Sequence, residues 1–264
     1  MRLIKVAATI GVAAAMFIGT AGTSSAAPSD FTKPLRADEK IDRGNDVGVQ
    51  RTDGHSFMEI NAAGQLVRWT RAGETFSGQV RGQGWENTRQ ITSLDPNTFL
   101  EINSSSNLVK WTWNGSTYVP ATVGTAWYNT KVITGIAPGR FLEINGSGEL
   151  LVWEFGANNG LSRWVIGIGW HNTRTIAGTD DIDFLEIKGD GILSEWYDFF
   201  DGGANLREIR FEEDFSAARL MVGTEFNHFL VIDQAGNLIE FLGDNSGYTP
   251  VQRGWGWNGT RLVG

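Results

Sequence analysis

Three places in the chain set a carboxamide two residues after an indole: Trp85 with Asn87, Trp127 with Asn129, and Trp170 with Asn172. An indole offers a flat apolar face, and a carboxamide both donates and accepts hydrogen bonds. Such a pair suits non-covalent recognition of a ring with one apolar face and polar edges. A pyranose has that shape, and the amide fits its hydroxyl or acetamido groups. Trp257 supplies a further indole in the same repeated position. The competing role for these side chains is a wedge between packed elements, and a wedge can still leave one edge exposed.

Bond-making chemistry has a weaker case. His55, His171 and His228 are the only histidines, and none has metal-ligand spacing to another. Neither H-E-x-x-H nor G-x-S-x-G occurs. Glu195, Asp198 and Asp201 cluster near one hairpin, and Glu212, Glu213 and Asp214 form a run. Glycoside cleavage needs two carboxylates roughly 5 to 10 Å apart, and a solvated charge cluster accounts for both groups as well. The expectation is no catalytic residue, no metal and no cofactor.

The elements that must carry the indoles come from a repeat. Phe57-Met-Glu-Ile60, Phe99-Leu-Glu-Ile102, Phe141-Leu-Glu-Ile144, Phe184-Leu-Glu-Ile187 and Phe229-Leu-Val-Ile232 recur at steps of 42, 42, 43 and 45. A tight turn follows each, then a second strand marked Leu66/Trp69, Leu108/Trp111, Leu150/Trp153, Leu193/Trp196 and Leu238/Phe241. The loop aromatic (Trp85, Trp127, Trp170, Phe215, Trp257) makes a third column. Helical periodicity is missing, and Asn-Gly and Asp-Gly pairs supply the positive φ angles of hairpins. Four short antiparallel strands per repeat match a propeller blade. The reading is all-β: a five-bladed β-propeller of four-stranded antiparallel blades.

The first unit begins at its second strand, and the chain ends on Trp257-Asn-Gly-Thr-Arg-Leu-Val-Gly264, a lead-in with no unit after it. Closing a ring with Arg261–Val263 beside Phe57 satisfies both ends and leaves no sheet edge. Val47–Gln50 competes for that slot. Arg89, Lys131, Arg174, Arg219 and Arg261 run in step with Glu59, Glu101, Glu143 and Glu186, which suggests a ring of ion pairs across adjacent strands. An acidic channel binding a cation or amine is the functional version of the same columns. The fourth junction, with Phe215, Ala217 and Ala218 behind an acidic lead-in, is expected to bind nothing.

Residues 1–26 carry Arg2 and Lys5, an apolar run and small residues before Ala26, the pattern of a secretory signal. Residues 27–46 are charged, proline-containing and aperiodic, a flexible leader. The propeller domain then spans 47–264. Without the signal the chain holds 20 Lys+Arg against 30 Asp+Glu, and this acidity argues against nucleic acid and anionic membranes. Cysteine is absent, so the core alone must stabilise an extracellular chain.

Gly169-Trp-His-Asn-Thr-Arg174, with Gly191-Ile-Leu193 and Trp196 after it, resembles the repeats of tachylectin-2-like β-propellers, in which G-W-x-x-F and D-G-x-L-x-W segments recur. The resemblance covers 57–264. It implies five blades and binding of N-acetylated sugars between them. The chain departs from that pattern in the single or missing Gly before the aromatic (Ala126, Asp214) and in Thr88, Thr130, Thr173 and Thr260 where the lectin has an aromatic. FG-GAP repeats are a second comparison, but their D-x-D-x-D-G calcium loop is lacking. The expectation is therefore a secreted, monomeric carbohydrate-binding propeller, with multivalent binding of N-acetylated sugars or cell-wall polysaccharide at Trp85, Asn87, Trp127, Asn129, Trp170, Asn172 and Trp257. The alternatives are a protein-binding or structural propeller and a glycan-cleaving enzyme. Exposure of the loop indoles separates the first of these from the sugar reading.

Overall fold

The F-L-E-I segments become buried strands because each receives a sheet neighbour on both sides and a blade on both faces. All four residues of Phe57–Ile60 are buried, and so are their counterparts in the other repeats. The computed structural model describes residues 31–37, 56–197, 206–244 and 246–264. The signal segment, Val47–Gln50, His55, Asp198 and Asp201 lie outside them.

A short strand β1 (Leu35–Arg36) precedes the ring. Blade one holds β2 (Ser56–Asn61), β3 (Leu66–Ala72) and β4 (Thr75–Gly82); blade two β5 (Gln90–Asp95), β6 (Thr98–Ile102), β7 (Leu108–Trp113) and β8 (Tyr118–Gly124). Blade three holds β9 (Thr130–Ala137), β10 (Arg140–Asn145), β11 (Glu149–Phe155) and β12 (Leu161–Ile168). Blade four is β13 (Thr173–Gly178), β14 (Phe184–Lys188), β15 (Ile192–Tyr197) and β16 (Arg207–Asp214). Blade five is β17 (Ala218–Glu225), β18 (His228–Asp233), β19 (Asn237–Asp244) and β20 (Gly247–Trp255), and β21 (Thr260–Val263) ends the chain. Every blade is an antiparallel meander, and the first strands β5, β9, β13, β17 and β21 touch in cyclic order around one axis.

Closure follows the C-terminal route. β21 pairs with β2 in the register Glu59 to Val263 and Ile60 to Leu262, and Met58 and Gly264 exchange backbone hydrogen bonds of 2.8 and 3.0 Å. The axis itself is closed by small residues. Ser93, Gly135, Gly178 and Gly223 occupy matching places on four inner strands, each opposite the Phe of its blade, while Gly264 lies opposite Met58 and accepts from Ser93 Oγ at 2.8 Å; a Cβ on Gly178 or Gly223 would overlap the carbonyl of the preceding blade's glycine. Thr92 Oγ1 accepts from the Gly135 amide at 2.6 Å and Thr134 Oγ1 from the Gly178 amide at 2.8 Å. The carboxylates of Glu59, Glu101, Glu143 and Glu186 are buried, each bonded to a threonine and an indole of its own blade rather than to one another.

Phe57, Phe99, Phe141, Phe184 and Phe229 form an inner aromatic belt, each no more than 1% exposed. Burial of such a ring contributes about 1.5–3 kcal/mol. Each stacks on its cross-strand partner, as Phe141 does on Trp153 at 6.1 Å and Phe229 on Phe241 at 4.6 Å. Residues 31–37, assigned from sequence to a flexible leader, are instead docked. β1 adds a fifth strand to blade five through Leu35–Tyr248 pairing, Ala37 bridges to Phe211 of blade four, and Phe31 is buried between the two.

Candidate interaction face at the blade junctions

Each loop aromatic enters a junction, here called a seam, through one tight turn. A left-handed residue precedes each loop tryptophan, Gly84, Gly169 and Gly256 at φ 85, 90 and 85° and, without glycine, Ala126 at φ 64°. A single turn of 3-10 helix then covers Trp127–Asn129, Trp170–Asn172 and Trp257–Gly259. The aromatic's amide donates to the hairpin turn of its own blade in all five seams, from Trp85 to Gly64 O, Trp127 to Ser106 O, Trp170 to Gly148 O, Phe215 to Gly191 O and Trp257 to Gly236 O. The loop's last carbonyl accepts from the next blade's turn, as Asn129 O does from Gly146 at 2.7 Å and Asn172 O from Gly189 at 2.6 Å. Loops and hairpin turns therefore share one face of the ring.

The indoles are wedges. Trp85, Trp127 and Trp170 are 4, 8 and 8% exposed, and only Trp257 is half-buried. Each packs on the second-column indole at 4.5 to 4.8 Å: Trp85 on Trp111, Trp127 on Trp153, Trp170 on Trp196, Trp257 on Trp69. The indole Nε1 lies against a glycine three residues earlier (Gly82, Gly124, Gly167, Gly254), where a Cβ would collide with it. Asn87, Asn129 and Asn172 stay exposed, with Asn129 and Asn172 laid over Gly146 and Gly189 of the next hairpin turn. The indole and amide of each pair thus differ in burial, although Trp127 and Asn129 line one cleft together.

In every Trp-lined seam the carboxylate of the Phe-x-Glu column is held from both sides. Glu143 accepts from Thr130 Oγ1 at 2.6 Å and from Trp153 Nε1 at 2.7 Å. Glu59 does so from Thr260 at 2.6 Å and Trp69 at 2.7 Å, and Glu101 from Thr88 at 2.6 Å and Trp111 at 3.0 Å. Glu186 accepts from Thr173 and from Trp196 at 2.9 Å. Burial pushes the Glu143 and Glu186 carboxyls above the ordinary range, and these two hydrogen bonds partly oppose it.

The basic column does not meet these carboxylates, which corrects the ring of ion pairs expected from sequence. Its side chains span to the next seam and donate to loop carbonyls. Arg261 reaches Trp85 O at 2.5 Å, Arg89 reaches Trp127 O at 3.2 Å, Lys131 reaches His171 O at 2.7 Å, Arg174 reaches Phe215 O at 2.6 Å and Arg219 reaches Trp257 O at 2.7 Å. Strand spacing alone made the Arg–Glu pair look near; the diagonal reach of a long side chain across the seam decided otherwise.

The seam between blades four and five changes five columns together and keeps the basic one, through Arg174 to Phe215 O. Phe215 replaces the wedge indole, Glu212 its glycine, Ala218 the threonine, Val231 the carboxylate and Phe241 the second indole. Phe31 fills the space, its ring 4.9 Å from Phe215 and 5.9 Å from Phe241. At the equivalent place between blades two and three lies an open cleft of about 340 Å³, lined among others by Trp127, Asn129, Glu143, Trp153 and Arg163.

The loop face also carries side chains that the repeat columns did not single out. Tyr128, Ile168 and Trp255 are 75, 81 and 78% exposed beside three of the wedge loops. Ile168 and Trp255 each stand two residues before a wedge tryptophan and Tyr128 one after; the other units carry polar residues at these places, so a search by column passes over them. Glu195 is buried within blade four, in register with Leu185 and Ile209, and Asp214 is turned onto Ser216. No group of three or more potential metal ligands occurs among the described residues.

No family model matches the chain, and no curated protein matches it. Among solved structures it is similar to Prp20p from Saccharomyces cerevisiae, studied for its binding to Gsp1p and histones, at 12% identity and TM-score 0.41, over 72% of this chain and 59% of that one. It is similar to the β-propeller domain of Cps50 (Swd1) from Myceliophteria thermophila at 11% identity and TM-score 0.42, over 82% and 74%. The WD40 β-propeller domain of Doa1 gives 13% identity and TM-score 0.38, over 84% and 73%. The chain thus spans less than two thirds of Prp20p.

Proposed function

We propose that this chain is a non-enzymatic, exported binding propeller that engages a protein partner through the face carrying the wedge loops. The observation that carries the reading is the exposure of Tyr128, Ile168 and Trp255 on that face, above indoles that are already consumed by packing. Large apolar side chains held in water on a rigid rim favour an interface, where aromatic residues contribute most of the contact energy. Burial of Trp85, Trp127 and Trp170 argues in the same direction, because it removes three of the platforms that sugar stacking requires. Secretion rests on the N-terminal signal pattern and is checked by finding the chain, cut after Ala26, in the medium.

The test compares retention of extracellular proteins by the wild-type chain, by Tyr128→Ser/Ile168→Ser/Trp255→Ser, and by Val80→Ser/Val119→Ser on the outer strands. Retention should be lost in the first variant and kept in the second. Equal retention by all three contradicts the reading.

Carbohydrate binding of the tachylectin-like kind is the second reading, and the cleft between blades two and three is what favours it. There the edges of Trp127 and Trp153 meet Asn129 and Arg163, a mixture of apolar and polar groups that suits a sugar. A glycan array decides: binding abolished by Arg163→Ala/Asn129→Ala and untouched by the loop-face triple variant puts this reading first. The seam of Phe215, with its cleft filled by Phe31, binds no sugar under either reading.

A further inference from the structure

The filled seam shows what kind of guest such a space accepts. Only two side chains of residues 31–37 are deeply buried, Phe31 at 6% and Leu35 at 2% exposed, while Thr32, Lys33, Pro34 and Arg36 face water. Phe31 enters between Phe215 and Phe241. Leu35 and Arg36 pair with Tyr248 and Gly247 on the outer edge of blade five. Arg36 donates to Ser246 Oγ at 2.9 Å.

The receiving surface is shaped for backbone as well as for side chains. Gly247 has φ 137°, and a Cβ there would overlap the Leu35 carbonyl oxygen, so the strand edge admits an incoming chain only as glycine. Phe211 and Tyr248 meet edge to face at 5.5 Å across the seam mouth. Extended backbone on a sheet edge, with alternate side chains in pockets, is the geometry of strand-addition recognition.

Two anchors and a two-residue ladder are opposed by the entropy of ordering seven residues, so the docked state is held by a narrow margin. We propose that the seam between blades four and five is an exchangeable strand-addition site for an extended segment with Phe four residues before Leu. Residues 31–37 occupy it in cis, and a partner chain carrying the same spacing displaces them. This site is on the outer edge of the ring and does not depend on the loop-face reading.

The probe is a labelled peptide PSDFTKPL, the chain's own residues 28–35. Against a Phe31→Ser/Leu35→Ser chain, whose cis segment has lost both anchors, it binds saturably and at least roughly tenfold tighter than against the unaltered chain, where the cis segment competes at millimolar effective concentration. Replacing the peptide's Phe with Ala abolishes this binding. The unaltered chain gives a readout that needs no variant to fold: tryptic cleavage after Arg36 requires the segment to leave, and millimolar unlabelled peptide accelerates that cut. Equal affinity for both chains, no binding to a double variant that still unfolds cooperatively, or an unchanged cleavage rate overturns the proposal.

Discussion

The four seams with tryptophan and the one with Phe215 solve the same packing problem with opposite chemistry. In the first, a buried carboxylate is surrounded by donors, Thr on the inner strand and indole on the third, and a glycine makes room for the wedge indole. In the second, Val231, Ala218 and Phe241 form an apolar site, and the volume lost with the indoles is refilled by Phe31 from outside the ring. The five positions behave as one unit. A buried carboxylate is stable only with its hydrogen bonds made, whereas replacing carboxylate and donors together by apolar groups costs little.

The largest effect is therefore expected from breaking the apolar seam. Val231→Glu places a carboxylate at a fully buried position with neither threonine nor indole in reach, and should cost about 3–5 kcal/mol in urea unfolding. Adding Ala218→Thr and Phe241→Trp should recover part of that loss; no recovery would show that the columns are independent.

The complementary change is next in size. Trp153→Phe or Thr130→Ala leaves one Glu143 oxygen without its partner and should cost about 1–3 kcal/mol each. The combined Glu143→Val/Thr130→Ala/Trp153→Phe chain should lose less than the sum of its parts, the sign of a coupled site. Strict additivity would contradict the account.

The same pair of chains separates by pH. Burial raises the Glu143 and Glu186 carboxyls above the ordinary 4.5, so the folded chain holds these protons more tightly than the unfolded one. Their stabilising contribution is full below the ordinary value and is lost as pH rises through the raised folded value. As pH rises above the ordinary 4.5 the wild type should therefore lose more stability than the triple swap, which lacks the Glu143 group. Parallel pH profiles would remove Glu143 from the explanation.

The smallest effect concerns Ala126, the one wedge loop whose left-handed residue before tryptophan is not glycine. Ala126→Gly should stabilise by about 1 kcal/mol, because an L side chain at positive φ is strained. Gly169→Ala should cost a similar amount, and thermal unfolding resolves both.

Much of this was legible in the sequence, for identifiable reasons. The Phe-Leu-Glu-Ile steps fix one strand per blade, and a unit missing its first strand at one end with a surplus lead-in at the other leaves a ring as the consistent closure. The difference of the fourth junction was legible too, from Phe215 and Ala217-Ala218. What stayed hidden depends on direction rather than spacing. Arg89 and Glu101 lie on adjacent strands, yet one side chain spans to the next loop and the other turns to its own blade. Whether Trp127 is a platform or a wedge depends on Gly124, three residues earlier, whose missing side chain draws the indole inward. The docking of Phe31 had no repeat to betray it; its only signal was a Phe and a Leu four residues apart in a largely charged and polar leader.

The central claim, that the loop face is the working surface, is tested most directly by cross-linking the chain to the extracellular proteins it retains and mapping the linked residues. The account predicts links concentrated in 83–87, 125–129, 168–172 and 255–259, and their loss in Tyr128→Ser/Ile168→Ser/Trp255→Ser with thermal stability unchanged. Links spread over the outer strands, or undiminished in that variant, would contradict it.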